Sequence, residues 1–432
     1  MSWLKQTKLK PFNILLVTPS FYGGTVWMFT LLLYSQRLIS WNEHSNLTMP
    51  LLWACGTSYL LSMVCVYGPY RTWLLKTRRS VIGSRAVKCQ PSVRITIVIL
   101  HIIGFLGLAL YVYAFSDALG GLTRFLLLMV DQSYLIRMQT QYTETVGTQL
   151  SYAGWVATAA TSSLWAAGKL SRRWLVLPLA QLAGNCLYIG RTRPIWIIFI
   201  AAVVVVPLMR PLRIARALKL IGASALAGTI LFLSMGMWVG KISDDIVLDR
   251  ESILPPSIQN VYMYATGGFA YLDDLIANNS IDSLSFDRTA YPLMRALARV
   301  KLASEPPKQV LDFRNLPYAF NVGTALEPFY SDGGIAGVIV GIVLITFGVD
   351  LAALLCWRAN TPFSWCAAAN LCFASAMSSN TPKLSSFPLW IFLGFALLSC
   401  AFPGARVFAR YSTEGTRSPA TLKTGMHDVS SG

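Results

Sequence analysis

The sequence predicts an all-α polytopic membrane protein of about ten transmembrane helices, with a large and mostly helical loop on one face. Three observations carry that expectation. The 432 residues are 54% hydrophobic and only 13% charged, with a mean hydropathy of +0.52; soluble domains carry roughly twice that charged fraction. Several apolar stretches approach or pass the ~18–20 residues needed to cross a bilayer. The basic residues behind the net charge of +17 gather in short loops between those stretches. That pattern reads as topology and not as a nucleic-acid footprint.

The expected spans are 12–35, 50–70, 94–116, 147–168, 174–190, 194–209, 218–239, 334–357, 363–380 and 386–403. An even number of crossings leaves both termini on one side. Placing them in the cytoplasm gives that side Lys5, Lys8 and Lys10, then Arg71, Lys76, Arg78, Arg79, Arg85 and Lys88. It also receives Lys169, Arg172 and Arg173, then Arg210, Arg213, Arg216 and Lys219, then Arg358, Arg406 and Arg410. Such a bias fixes orientation. The first span follows a basic start with no small-residue cleavage site after it, so it is expected to stay as a signal-anchor. The chain thus divides into seven transmembrane helices over 1–239 with an interfacial segment near 117–146, a large outer loop over 240–332, three more helices over 333–403, and a cytoplasmic tail over 404–432.

Cysteine and histidine offer little chemistry. The eight cysteines form no Cys-x-x-Cys pair and fall mostly inside predicted spans, where they pack as small apolar groups. His44, His101 and His427 are far apart and show no metal-ligand spacing. His101, inside the third span, suits a hydrogen bond between helices. No metal or cofactor is expected.

The outer face holds the unusual part. In "NCLYIGRTRPIWIIFI", Arg191 and Arg193 stand outside, against the trend that keeps cations in the cytoplasm. The segment "TRFLLLMVDQSYLIRMQTQY" is too short to span and suits a helix at the membrane surface. Gly240–Asp332 is too long for a structureless loop in a compact protein. Within it, "SIQNVYMYATGGFAYLDDLIANN" reads as an interfacial or partly re-entrant helix ending in Asp273 and Asp274. In "FDRTAYPLMRALARVKL", Arg288, Arg295 and Arg299 follow at spacings of seven and four, which on a helix puts them on one face. "DFRNLPYAFNVGTALEPFYSDGGIAGVIVGIVL" then carries Arg314, Glu327 and Asp332 into the eighth span, where Asp332 suits either an N-cap or a catalytic role.

Each arginine taken singly has an ordinary use, in snorkelling or surface ion pairs. As a group, Arg191, Arg193, Arg288, Arg295, Arg299 and Arg314 converge on one membrane face, where Lys241, Lys301, Lys308 and Lys383 are the only lysines. The guanidinium fork matches phosphate oxygens in a way a point charge does not. The expected ligand is anionic, membrane-bound and phosphate-bearing.

"AFNVGTALEPFYSDGGIAGVIVG" resembles the Asn-x-x-Thr … Tyr-x-Asp-x-Gly-x-x-Gly stretch of Wzy-type oligosaccharide repeat-unit polymerases. "YMYATGGFAYLDDL" and "LSFDRTAYPLMRALARV" resemble the preceding part of that family's large periplasmic loop. The likeness covers roughly Asn185 to Asp350; the other spans match in hydropathy alone. The resemblance implies a GT-C-like architecture related to the O-antigen ligases, in the bacterial inner membrane, with the active site on the periplasmic face. It implies a glycosyltransferase that joins oligosaccharides carried on undecaprenyl pyrophosphate into O-antigen, capsule or exopolysaccharide. The growing polysaccharide, a chain-length-determinant protein and a flippase are the partners it implies.

In such a transfer a sugar hydroxyl attacks an anomeric carbon whose leaving group is a pyrophosphate. Cations placed where negative charge grows stabilise the transition state. No Asp-x-Asp pair occurs in the long loop, so arginines are expected in place of a metal. A base must take the acceptor's proton. The related ligases use a loop histidine; Gly240–Asp332 contains none, so a carboxylate among Asp273, Asp274, Glu327 and Asp332 is expected to serve. Tyr262, Tyr264, Asn321 and Tyr330 are the expected glycan contacts, with Phe269 and Tyr271 as further aromatic candidates. The competing readings are a ligase and a transporter or flippase of lipid-linked glycans. A carrier would depend on mid-membrane polar groups, here Gln181, Asn185, Asp350 and Asn370.

Overall fold

The computed structural model of the protein describes residues 12–41, 45–83, 89–131, 145–188, 192–208, 248–279, 286–307, 313–316 and 318–401, with Lys219 and Ser234. The described residues are mostly helical. In chain order, after a single turn at Phe12–Leu15, the helices are α1 (Pro19–Ser35), α2 (Thr48–Gly83), α3 (Pro91–Ala118), α4 (Leu122–Asp131) and α5 (Val146–Ala166). Then come α6 (Val176–Cys186), α7 (Thr192–Val205), α8 (Pro256–Ala277) and α9 (Tyr291–Arg299). A hairpin of β1 (Arg314–Asn315) and β2 (Ala319–Phe320) precedes α10 (Glu327–Val343), α11 (Val349–Arg358), α12 (Pro362–Ala376) and α13 (Phe387–Cys400). Three helical segments, Thr48–Thr77, Pro91–Ala118 and Glu327–Arg358, are long and apolar enough to cross a bilayer. Helices also stand over the other expected spans, except 218–239, which lies outside the described residues apart from Lys219 and Ser234. The expected surface segment near 117–146 is helical over Leu122–Asp131, and 132–144 lies outside the description.

Two helices form the centre. Nearly every side of α5 is buried, and α12 is buried over its whole length but for Ala376. Helix α5 is rich in Gly, Ala, Ser and Thr, residues that let backbones approach where lipid supplies no hydrophobic drive. A Cβ on Gly104 of α3 would lie 2.5 Å from the Gly154 Cα of α5, and one on Gly107 would strike the Ser151 backbone. Helix α12 begins with a reciprocal cap: Ser364 N–H donates to Thr361 Oγ1 at 2.9 Å and Thr361 N–H donates to Ser364 Oγ at 3.1 Å.

The polar groups inside the bundle are tied to one another. Trp155 Nε1 donates to Asn185 Oδ1 (2.8 Å), and Trp196 Nε1 donates to Asn370 Oδ1 (2.7 Å). Gln181 Nε2 donates to the His101 carbonyl (3.1 Å), while His101 Nε2 meets Thr161 Oγ1 at 3.3 Å. The Asp350 carboxylate, at the start of α11 just after a π-helical turn over Leu344–Gly348, accepts from Ser20 N (2.9 Å), Ser20 Oγ (2.5 Å) and Ser62 Oγ (2.6 Å).

Helix α8 is largely buried within the protein. It packs on α1, with Trp27 and Phe269 ring centroids 4.9 Å apart, and its Gly267 lies against the Phe320 ring. The eighth expected span also begins differently from a simple cap. Gly334 has φ +59°, and there the helix breaks. A Cβ on Gly337 would strike the Phe329 carbonyl oxygen, and a Cβ on Gly341 would lie 2.6 Å from the Phe329 ring. In a straight helix, residues eight apart are separated by about 12 Å along the axis. The turn Glu327–Gly333 is therefore folded back on the helix that follows, and the glycines at 334, 337 and 341 allow it.

Candidate functional site

At one end of the bundle, residues of the 248–332 segment meet the end of α1, the start of α2, the turn after α12 and the start of α13. The folded-back turn presents Glu327, Ser331 and Asp332 to the turn Phe286–Ala290. Asp332 does not cap its own helix. Its carboxylate accepts from the backbone N–H groups of Arg288 (3.2 Å) and Thr289 (2.7 Å), and so pins the chain ahead of α9. Arg288 sends its side chain to Glu327, 3.5 Å away, and Ser331 Oγ donates to the same carboxylate at 3.1 Å. The Glu327 side chain is 3% exposed and that of Arg288 22%.

Helix α8 supplies the neighbouring wall. Tyr271 lies in the field of Arg314, Glu327 and Arg288; burial pushes its phenol up and Arg314 pulls it back. The Arg314 guanidinium carbon is 5.6 Å from the Tyr271 ring centre, and its Nη1 reaches Asp274 Oδ2 at 2.6 Å. Arg288, Glu327, Tyr271, Arg314 and Asp274 thus alternate in charge through one cluster. Hairpin β1–β2, too short to leave an alternating pattern, holds Arg314 in register opposite Phe320.

Several expected site residues lie elsewhere. Asp273 turns into the bundle. Its Oδ1 accepts from Ser45 N–H (3.0 Å) and from the Thr48 hydroxyl at the start of α2, and Tyr34 Oη donates to its Oδ2 at 3.4 Å. It anchors a helix start and is not part of the Glu327 cluster. The proposed stripe of arginines divides, because α9 begins at Tyr291 and Arg288 precedes it. Arg295 bonds Tyr291 Oη (3.0 Å) and lies 5.8 Å from the Phe387 ring centre, with Arg299 at 5.9 Å from the same ring. Tyr262 and Tyr330 are buried and present no ring face; Tyr262 Oη donates to the Leu33 carbonyl at 2.8 Å and accepts from Leu38 N–H at 3.2 Å. Tyr264 and Asn321 are half-buried, and Phe269 is fully buried. Arg191 lies outside the described residues.

Arg193 occupies a separate pocket. It stands in the first turn of α7, with Nη1 donating to Ser151 Oγ (3.2 Å) and Nη2 to Tyr152 Oη (3.3 Å). Its guanidinium stacks on Tyr188 at 3.6 Å and faces Tyr152 and Trp155 at 5.2 and 5.6 Å. Trp155 lies 5.4 Å from Trp196, and Lys383 Nζ sits 5.2 Å from the Trp196 ring centre. Lys383 belongs to the short turn Lys383–Ser385 between α12 and α13. Sequence reasoning counted it as an outer-face lysine but gave it no role. The available signal was its place as the only basic residue of the turn joining the last two expected spans.

No family model, no curated protein sequence and no solved structure matches this chain.

Proposed function

We propose that the protein is a periplasmic-face glycosyltransferase of the bacterial inner membrane, a GT-C-like bundle of about ten spans with both termini in the cytoplasm. It polymerises oligosaccharide repeat units carried on undecaprenyl pyrophosphate and releases the lipid pyrophosphate. Glu327 is the base. It takes the proton of the acceptor hydroxyl as that oxygen bonds the anomeric carbon, while the carbon–oxygen bond to pyrophosphate breaks and the electron pair leaves with the phosphate. Cations in place of a metal receive the growing charge.

One observation carries this reading. The Tyr-x-Asp-x-Gly-x-x-Gly segment, on which the family resemblance rests, is the segment that folds back at Gly334 and places Glu327 beside Arg288. A carboxylate held against a guanidinium, next to Tyr271, is equipped for proton transfer near an anionic leaving group. Three of the mid-membrane polar groups a carrier would need, Asn185, Asn370 and Asp350, accept from Trp155, Trp196 and Ser62 within the bundle, which favours an enzyme. The test is to incubate the purified protein with a lipid-linked repeat unit and no added metal. A ladder of products differing by one repeat is expected. A single unreacted species, or a ladder that requires a divalent ion, contradicts the proposal or its metal-free form respectively.

A further inference from the structure

The six arginines expected to hold phosphate are not equivalent. Arg288 and Arg314 each have a carboxylate partner, Glu327 and Asp274. Arg193 and Lys383 have none: no ion pair among the described residues includes either. They are half-buried, and one indole pair, Trp155 and Trp196, runs between them. The start of α7 adds the positive end of its helix dipole beside Arg193. Two cations brought together without a counter-charge repel, and partial burial raises that cost. Burial and the neighbouring Arg193 push the Lys383 ammonium down to about 8. An arrangement of this kind stores positive potential that an anion relieves. The Arg193 fork still has N–H donors to offer, since its bonds to Ser151 and Tyr152 use one N–H on each terminal nitrogen.

We infer that Arg193 and Lys383 form a phosphate-binding site of their own, separate from the Glu327 cluster, and that Lys383 is a ligand residue in it. The aromatic lining of Tyr152, Tyr188 and Trp196 gives the site an apolar wall, so it takes a diphosphate whose other end is hydrophobic. The link to the leaving group of a glycosyl transfer rests on the function proposed above; the anion site does not.

Binding of inorganic pyrophosphate and of farnesyl diphosphate to the full-length protein in detergent, followed by calorimetry, tests this. Wild-type protein is expected to bind both, and the farnesyl compound more tightly. Lys383→Gln is expected to weaken both by about tenfold or more, the scale of one lost hydrogen bond to a charged group. Lys383→Arg retains most of the affinity, and Arg288→Gln changes it by less than about threefold. Thermal melting of Lys383→Gln without ligand checks its folding; removal of an uncompensated cation is expected to leave Tm unchanged or raised. Pyrophosphate binding equal to that of the farnesyl compound removes the lipid assignment. Absence of binding to wild type, or equal binding by wild type and Lys383→Gln, overturns the site. If wild type binds but never yields a product ladder, the polymerase reading fails while the site stands. If the ladder forms and Lys383→Gln leaves both it and binding unchanged, the reverse holds.

Discussion

The two cationic regions at this end of the bundle differ in what faces the charge. Around Glu327, every arginine in contact has an acid within reach, and the cluster alternates in sign. Around Arg193 and Lys383, hydroxyls and aromatic rings take the place of acids. A guanidinium with a carboxylate already bound has little attraction left for a phosphate, because the new ligand must displace or repel the old one. A cation held by hydroxyls and ring faces keeps its charge available. Residue type and membrane side alone do not separate these two uses; the neighbour does.

The contrast can be broken most forcefully at Glu327. Glu327→Gln keeps the shape, removes the base and leaves Arg288 without its partner; the ladder from a lipid-linked repeat unit is expected to slow by about a hundredfold to ten-thousandfold. A rate within a few-fold of wild type would assign the base elsewhere. Next comes Arg193→Ala, with an expected loss of about a hundredfold to a thousandfold in rate, partly recovered by lysine. If alanine were tolerated, the unpaired pocket would have no part in the chemistry.

Gly334→Ala tests the fold-back that sets the two regions apart. A side chain at φ +59° and ψ −146° is strained, at a cost of about 1–3 kcal/mol, and should appear as a lowered Tm together with reduced activity. Unchanged melting would mean the break relaxes without cost.

Acidity sharpens the comparison further. Lys383, pushed down to about 8 by burial and by the Arg193 charge of α7, lies 5.2 Å from the Trp196 ring centre of the same helix. As pH rises through 8 the lysine loses its proton and the site one positive charge. Pyrophosphate affinity is therefore expected to fall between pH 7 and 9, and Lys383→Gln to flatten that dependence. For stability the sign is opposite. The unfolded lysine binds its proton more tightly than the folded one, so the group makes folding more favourable as pH rises from about 8 towards its unfolded value. The smallest effect is expected at Arg314–Asp274. A double-mutant cycle with Arg314→Ala and Asp274→Asn should give a coupling near 1 kcal/mol in melting experiments, because both side chains remain partly exposed.

Much of the helical layout was legible from hydropathy, and the reason is physical: apolar length is set by the membrane. Helix α5 was found by the same route although Ser, Thr and Gly make it only weakly apolar, since its residues face other helices and not lipid. What lay beyond reach were contacts between distant parts of the chain. Asp273 and Asp274 are adjacent, so they point to different sides of α8, one to the α2 start and the other to Arg314. The spacing of Arg288, Arg295 and Arg299 suggested one face, but a helix start at Tyr291 decides whether the first belongs to it. Glu327 and Arg288 were each singled out, but for different roles; they are 39 residues apart and nothing local marked them as a pair. Lys383 was hidden in the same way, because its importance lies in the absence of an acid.

The Asp350 carboxylate has a bearing on how the chain is made. It accepts from Ser20, 330 residues earlier, and from Ser62, 288 residues earlier. Both hydroxyls leave the ribosome long before their acceptor exists. A nascent chain stopped short of residue 350 carries its first two long helices with those donors unmatched, and the N-terminal helices reach their final packing only when the last third of the protein arrives.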